Sequence, residues 1–270
     1  MKSYAIFMTL VSRNTIMKVF LGLFLVLFLT FLIFMGISLT KNFLIAKDFS
    51  FLNTSTIATY GSFLFYMVYS CITLILMYRS FEKTQAPEIV YFCIFLLGFF
   101  LQGFRLLIPI LAIQNSFSSM FVLLGKISFV GKFLSCTSFV MAALFSDEDE
   151  IQNMDRNFIM LILLALVFGS ITPINTLISE GELFPHYGFE QILDIFQVVI
   201  FTVTAISFIV IGRTKFSYPF KEICLGYICI FLGITLLPKP TIISSVISIL
   251  LVMLGTYLYL SRLHKFYLWK

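Results

Sequence analysis

VFLGLFLVLFLTFLIFMGISLT, residues 19–40, runs for 22 residues without a charged side chain. A helix rises about 1.5 Å per residue and the hydrocarbon core of a bilayer is about 30 Å thick, so about 20 such residues make one crossing. Lys18 stands directly before the stretch, and no small-residue cleavage site follows it. The apolar region of a secretory signal is shorter, about 7–15 residues, so this segment is expected to remain as an uncleaved anchor. Ahead of it, Tyr4, Phe7, Leu10 and Val11 alternate with Ser3, Ser12, Arg13 and Asn14 in a weakly amphipathic leader. That leader reads either as an interfacial helix or as a short frayed start.

With the anchor taken as 18–40, seven more apolar runs follow, near 57–78, 89–113, 119–145, 157–178, 191–212, 223–238 and 242–261. The composition agrees, with 60% hydrophobic and 11% charged residues, where a soluble domain has about a quarter of its residues charged. The expected fold class is therefore all-α, a polytopic membrane helix bundle of about eight transmembrane helices. Residues 1–270 are expected to form a single integral membrane domain in a cell membrane of cytoplasmic type. The 34 phenylalanines show no period across the runs and read as lipid-facing and packing bulk.

Cationic residues are enriched in cytoplasmic connections of membrane proteins. With the N-terminus cytoplasmic, that side holds Lys2, Arg13, Lys18, Arg79, Lys83, Arg156, Arg213, Lys215, Lys221, Arg262, Lys265 and Lys270. The opposite side holds only Lys41, Lys47 and Lys239. Both termini are thus expected to be cytoplasmic. The net charge of +5 is mostly this topogenic signal and gives no reason to expect nucleic acid; the expected surroundings are the lipid bilayer.

The connections are short, which leaves no room for a kinase, cyclase, nuclease or nucleotide-binding module. Any output passes through helices, small loops or a partner. Asp147, Glu148, Asp149 and Glu150 form an acidic block between spans four and five, either a solvated loop or a docking site for a basic cytoplasmic partner. Gly98, Gly103, Gly125, Gly131, Ser128, Ser135 and Ser138 are the small residues expected to let helix backbones approach. Tyr91 to Leu96 in span three resembles Tyr227 to Leu232 in span seven, which raises a weak 4 + 4 internal repeat.

Three cations fall inside the runs: Arg105, Lys126 and Lys132. Charges in a bilayer are costly and usually retained for a reason. Counted from the span ends, Arg105 lies roughly 12 Å, Lys126 roughly 10 Å and Asp194 roughly 5 Å below the outer edge. These three are expected to meet there. Gln102, Ser128, Thr172, Asn175 and Gln197 reach the same level, under a loop with Glu180, Glu182 and His186. Pro109 and Pro173 are expected to interrupt the outer ends of spans three and five. The expected ligand-binding set is Arg105, Lys126, Lys132, Asp194, Gln102, Ser128 and Gln197, around an outward-facing pocket of spans three to six. The structural alternative is that Arg105 and Asp194 neutralise each other while Lys126 extends to the headgroups.

Lys132 stands apart. On this count it lies near mid-membrane, too deep for Asp194, with no carboxylate in the inner half of any span. Ser128, Lys132 and Ser135 share one helix face. Three readings stand: an uncharged amine, a cation in a wet cavity, or misplaced span boundaries. No HExxH, no GxSxG with matching His and Asp, and no phosphate-binding glycine loop occurs, so no catalytic residue, metal site or cofactor is expected. His264 reads as a surface residue in a basic tail, and Tyr257, Tyr259, Tyr267 and Trp269 as an interfacial aromatic belt. Cys71, Cys93, Cys136, Cys224 and Cys229 read as small apolar residues. The leading expectation is a non-enzymatic module that binds or senses an anionic or amphipathic ligand. Next come a small-solute or lipid transporter and an intramembrane lipid-modifying enzyme.

Overall fold

The computed structural model describes residues 2–43, 54–81, 86, 88–110, 119–144, 154–175, 187–214, 218–239 and 241–268. Eight helices account for nearly all of these: α1 (Lys2–Phe43), α2 (Thr54–Phe81), α3 (Glu88–Gln102), α4 (Ser119–Leu144), α5 (Met154–Ile171), α6 (Glu190–Thr214), α7 (Tyr218–Leu236) and α8 (Ile242–Leu268). A 3-10 turn, Gly103–Leu106, and a last helical turn, Leu107–Ile110, prolong α3. There is no strand among the described residues, only a single antiparallel bridge between Ile174 and Tyr187. The acidic block 147–150, the loop residues Glu180, Glu182 and His186, and Trp269 lie outside the described residues.

Six helices, α1 to α4, α6 and α8, are long and apolar enough to cross a membrane. The other two are shorter for local reasons. Proline disfavours helical geometry in the residue before it, and α5 stops at Ile171 ahead of Pro173, not near 178. The apolar part of α7 begins only after Lys221 and Glu222. The runs expected at 89–113 and 119–145 match their helices closely, and the first and last runs are too short. The leader is continuous with α1, and α8 runs on to Leu268. Pro109 itself sits in a helical turn, and the irregular backbone lies just before it.

Two helix pairs pack most closely, α3 with α4 and α7 with α8. Each is built on a reciprocal glycine contact. A Cβ placed on Gly98 would stand 2.6 Å from the Gly131 carbonyl oxygen and from the Ser135 amide nitrogen. A Cβ on Gly226 would meet the Gly255 oxygen at 2.9 Å and the Tyr259 nitrogen at 2.8 Å. Gly98 and Gly131 act as expected for small residues at an interface. Gly103 instead faces Met67 of α2, and Gly125 faces Ile174.

Further contacts link α2 to α3, α4 to α6, α6 to α7, and α8 back to α2. α1 leans on α2 and α3, and α5 on α4. The interior is aromatic. Phe92 stacks on Tyr259 at 5.4 Å, Phe139 lies 4.9 Å from Tyr227, and Phe208 lies 5.8 Å from Tyr227. α1 contributes one stripe, Met17, Phe20, Phe24 and Phe31, at the spacing of a helix face.

The C-terminal tail is more structural than its sequence suggests. Tyr259 is fully buried, whereas Tyr257 is exposed. Arg262 pairs with Glu222, and His264 packs its ring against Phe81 at 5.0 Å, so it is no free surface histidine. The Tyr267 hydroxyl donates to the carboxylate of Glu88, at 3.0 and 2.9 Å to its two oxygens. Glu88 is buried in the first turn of α3. It had lain one residue outside the run beginning at 89, which hid a buried carboxylate. Removing one hydrogen bond to a charged group costs about 1.5–3 kcal/mol. Tyr267→Phe is therefore expected to lower the thermal unfolding midpoint in detergent while leaving helix content unchanged; an unshifted midpoint would show the contact to be dispensable.

Candidate functional site

The sequence-derived site residues gather along the middle turns of α4, but with different partners from those expected. Lys126 donates from Nζ to the carbonyl of Ser170 at 2.8 Å. Ser170 lies in the last turn of α5, where carbonyls lack helical partners and a cation is favourable. The Arg105 guanidinium carbon stands 5.0 Å from the centre of the Tyr187 ring, within cation–π range. Tyr187 is buried, and its hydroxyl donates to Ser128 Oγ at 3.3 Å.

Tyr187 reaches this place because both ends of the α5–α6 connection lie against α4. Ile174 bridges Tyr187, the Gly188 amide donates to the Pro173 carbonyl at 2.9 Å, and Ile174 packs over Gly125. Irregular backbone at this depth is tolerated where protein encloses it.

The same arrangement resets the depth scale. α4 has 26 residues, about 39 Å at the helical rise and longer than a bilayer core is thick. Along it, Lys126 is level with the end of α5 and Ser128 with Tyr187. Lys132, about 9 Å further on, meets the second turn of α6. There its Nζ lies 3.2 Å from Asp194 Oδ1. The expected pairing is thus corrected: Asp194 belongs to Lys132, not to Arg105, and Lys132 does have a carboxylate at its level. Counting from Ser119 failed because α6 begins below the Ser119 end of α4, not beside it.

The ion pair has spare capacity. An ammonium offers three donors and a carboxylate about four acceptor positions. Among the described residues Lys132 makes one such contact, and Oδ2 of Asp194 makes none. Their side chains are 29% and 62% exposed, so the pair faces outward from the bundle. One turn further along lies a narrow crevice lined by Cys136 and Phe139 of α4, Gln197 and Ile200 of α6, and Tyr227 and Phe231 of α7. Its interior has room for about one water molecule.

No protein-family model, curated protein or solved structure matches this chain. The site is therefore read from its own geometry.

Of the seven expected residues, Lys132 and Asp194 form a direct pair, and Gln197 lines the crevice beside them. Arg105 and Ser128 meet through Tyr187, and Lys126 joins α4 to α5. Gln102 joins this group through Ser135, which also lines the crevice. Its amide donates to Ser135 Oγ at 3.1 Å, and the Ser135 hydroxyl donates to the Lys132 carbonyl at 2.9 Å, tying α3 to α4. Two residues of the site carry no signal in the sequence: Tyr187 directly follows the polar loop that ends at His186, and Tyr227 stands between Gly226 and Ile228 with no polar residue beside it. Among the described residues no three His, Cys, Asp or Glu side chains gather as a metal-binding group.

Proposed function

We propose that the chain is a non-enzymatic membrane module that binds or senses an anionic or amphipathic ligand from the outer side of a cell membrane. In this reading it is one membrane domain that crosses eight times with both termini cytoplasmic. A response would pass to a cytoplasmic partner, for which the acidic block at 147–150 is the candidate surface. The observation that carries the reading is the Lys132–Asp194 pair, incompletely bonded and open at the edge of the bundle, with Arg105 and Lys126 one to two turns above it. Polar groups exposed to hydrocarbon without partners cost several kcal/mol each, so a ligand that completes their bonding has a physical reason to bind.

Lipid and metabolite mass spectrometry on the purified protein tests this. The wild type is expected to carry at least one anionic or amphipathic species that Arg105→Gln or Lys132→Met retains several-fold less well. The same species at the same amounts in all three proteins would refute the reading.

A second reading, a small transporter, draws support from the helix arrangement. The glycine-locked pair α3–α4 has a counterpart in α7–α8, and the contacts α2–α3 and α4–α6 have counterparts in α6–α7 and α8–α2. That pattern supports a 4 + 4 parallel repeat of the kind found in transporters. Its glycines set a different register from the Tyr91 and Tyr227 match, since Gly98 corresponds to Gly226. Water-soluble thiol reagents distinguish the two readings: modification of Cys136 from both membrane faces favours transport, and from one face binding.

A further inference from the structure

The geometry points to a phospholipid bearing a primary ammonium, of the ethanolamine type, drawn from the surrounding bilayer and seated on the Lys132–Asp194 pair. This deepens the binding function proposed above and rests on it. In the complex the lipid phosphate accepts hydrogen bonds from the free N–H groups of Lys132, and the lipid ammonium donates to Oδ2 of Asp194.

Three observations carry the assignment. The first is charge complementarity: one cation and one anion 3.2 Å apart match a headgroup that holds both signs on a short linker. A purely anionic ligand would leave Asp194 facing like charge.

The second is depth. α6 begins at Glu190, so Asp194 sits in its second turn, about 6 Å along the helix from its start, and a headgroup has only the first turn of α6 to pass to reach it.

The third is the flank. Ile195, Val198 and Val199, which follow Asp194 on α6, are 65%, 57% and 53% exposed and offer an apolar track for acyl chains. The crevice beside them holds about one water, too little for a chain, so the chains lie on the α6 face. Hydrogen bonding then separates headgroups. A primary ammonium has N–H donors for Asp194, whereas a quaternary choline has none.

The test is native mass spectrometry of the full chain in detergent, titrated separately with phosphatidylethanolamine and phosphatidylcholine of identical acyl chains. A charge-assisted hydrogen bond of this kind corresponds to about tenfold in affinity, so wild type is expected to retain the ethanolamine lipid about tenfold better. Asp194→Asn should abolish the preference. Lys132→Met should weaken retention of both lipids, and Lys132→Arg, which keeps the charge and guards against misfolding, should restore it. Equal retention of the two lipids by a wild type that still carries some other amphiphile overturns the headgroup assignment and leaves the broader binding function standing. A wild type that retains no species at all overturns both.

Discussion

Gly98→Leu and Gly131→Leu are expected to stop α3 and α4 from closing on each other, the largest single effect foreseen for this chain. At both positions the first atoms a Cβ would meet are backbone: the partner's carbonyl oxygen at 2.6 and 2.5 Å. Overpacking normally costs about 1–3 kcal/mol because side chains can rotate away. Backbone in a helix cannot, so the expected loss is at the top of that range or beyond. The measurement is the unfolding midpoint in a denaturing detergent titration, with the monodisperse fraction after purification as a second readout. Gly226→Leu and Gly255→Leu should behave alike, since they face the same geometry between α7 and α8. Gly22→Leu is the control. Nothing lies within 4 Å of a Cβ there, so its midpoint should stay with wild type. Wild-type midpoints for the Gly98 and Gly131 variants would show that the two helices are not packed as described.

The second large effect concerns Lys132 and Asp194, and its sign depends on how many partners are removed. Lys132→Leu leaves a carboxylate, and Asp194→Leu an ammonium, without its counter-ion at a lipid boundary. Lipid, unlike water, does not screen the charge left behind, so each single variant is expected to lose about 1–3 kcal/mol. The double variant removes both charges together. Replacing an ion pair by apolar residues is often neutral or better, so it should recover at least the stability of the weaker single variant. A double-mutant cycle in bilayer discs gives the coupling directly. Additive losses would mean that the 3.2 Å contact contributes nothing.

The helical class and most helix positions are legible in the sequence because crossing a bilayer demands long apolar runs, and such runs are visible one residue at a time. Partner choice is different. Arg105, Lys126, Lys132 and Asp194 were recognisable as unusual, yet their pairing depended on where α5 ends and α6 begins relative to α4. Nothing local encodes that offset. Pro173 marks where α5 stops, but only the packing of Ile174 on Gly125 and of Tyr187 on Ser128 shows how far the connection reaches down α4. Glu88 was hidden for a similar reason. A carboxylate at the edge of an apolar run looks solvated unless Tyr267, far along the chain, is known to stand over it.

α3 is the most enclosed helix of the six that are long enough to span, with 89% of its most apolar window buried. Part of that enclosure is made by residues synthesised much later: Tyr259 covers Phe92, and Tyr267 covers Glu88. During translation α3 must therefore first lodge in lipid, or in the insertion machinery, with one flank open. It can be fully wrapped only when α8 has emerged. A chain arrested after α6 would present that bare flank, with Phe92 lacking its Tyr259 cover, for as long as the arrest lasts.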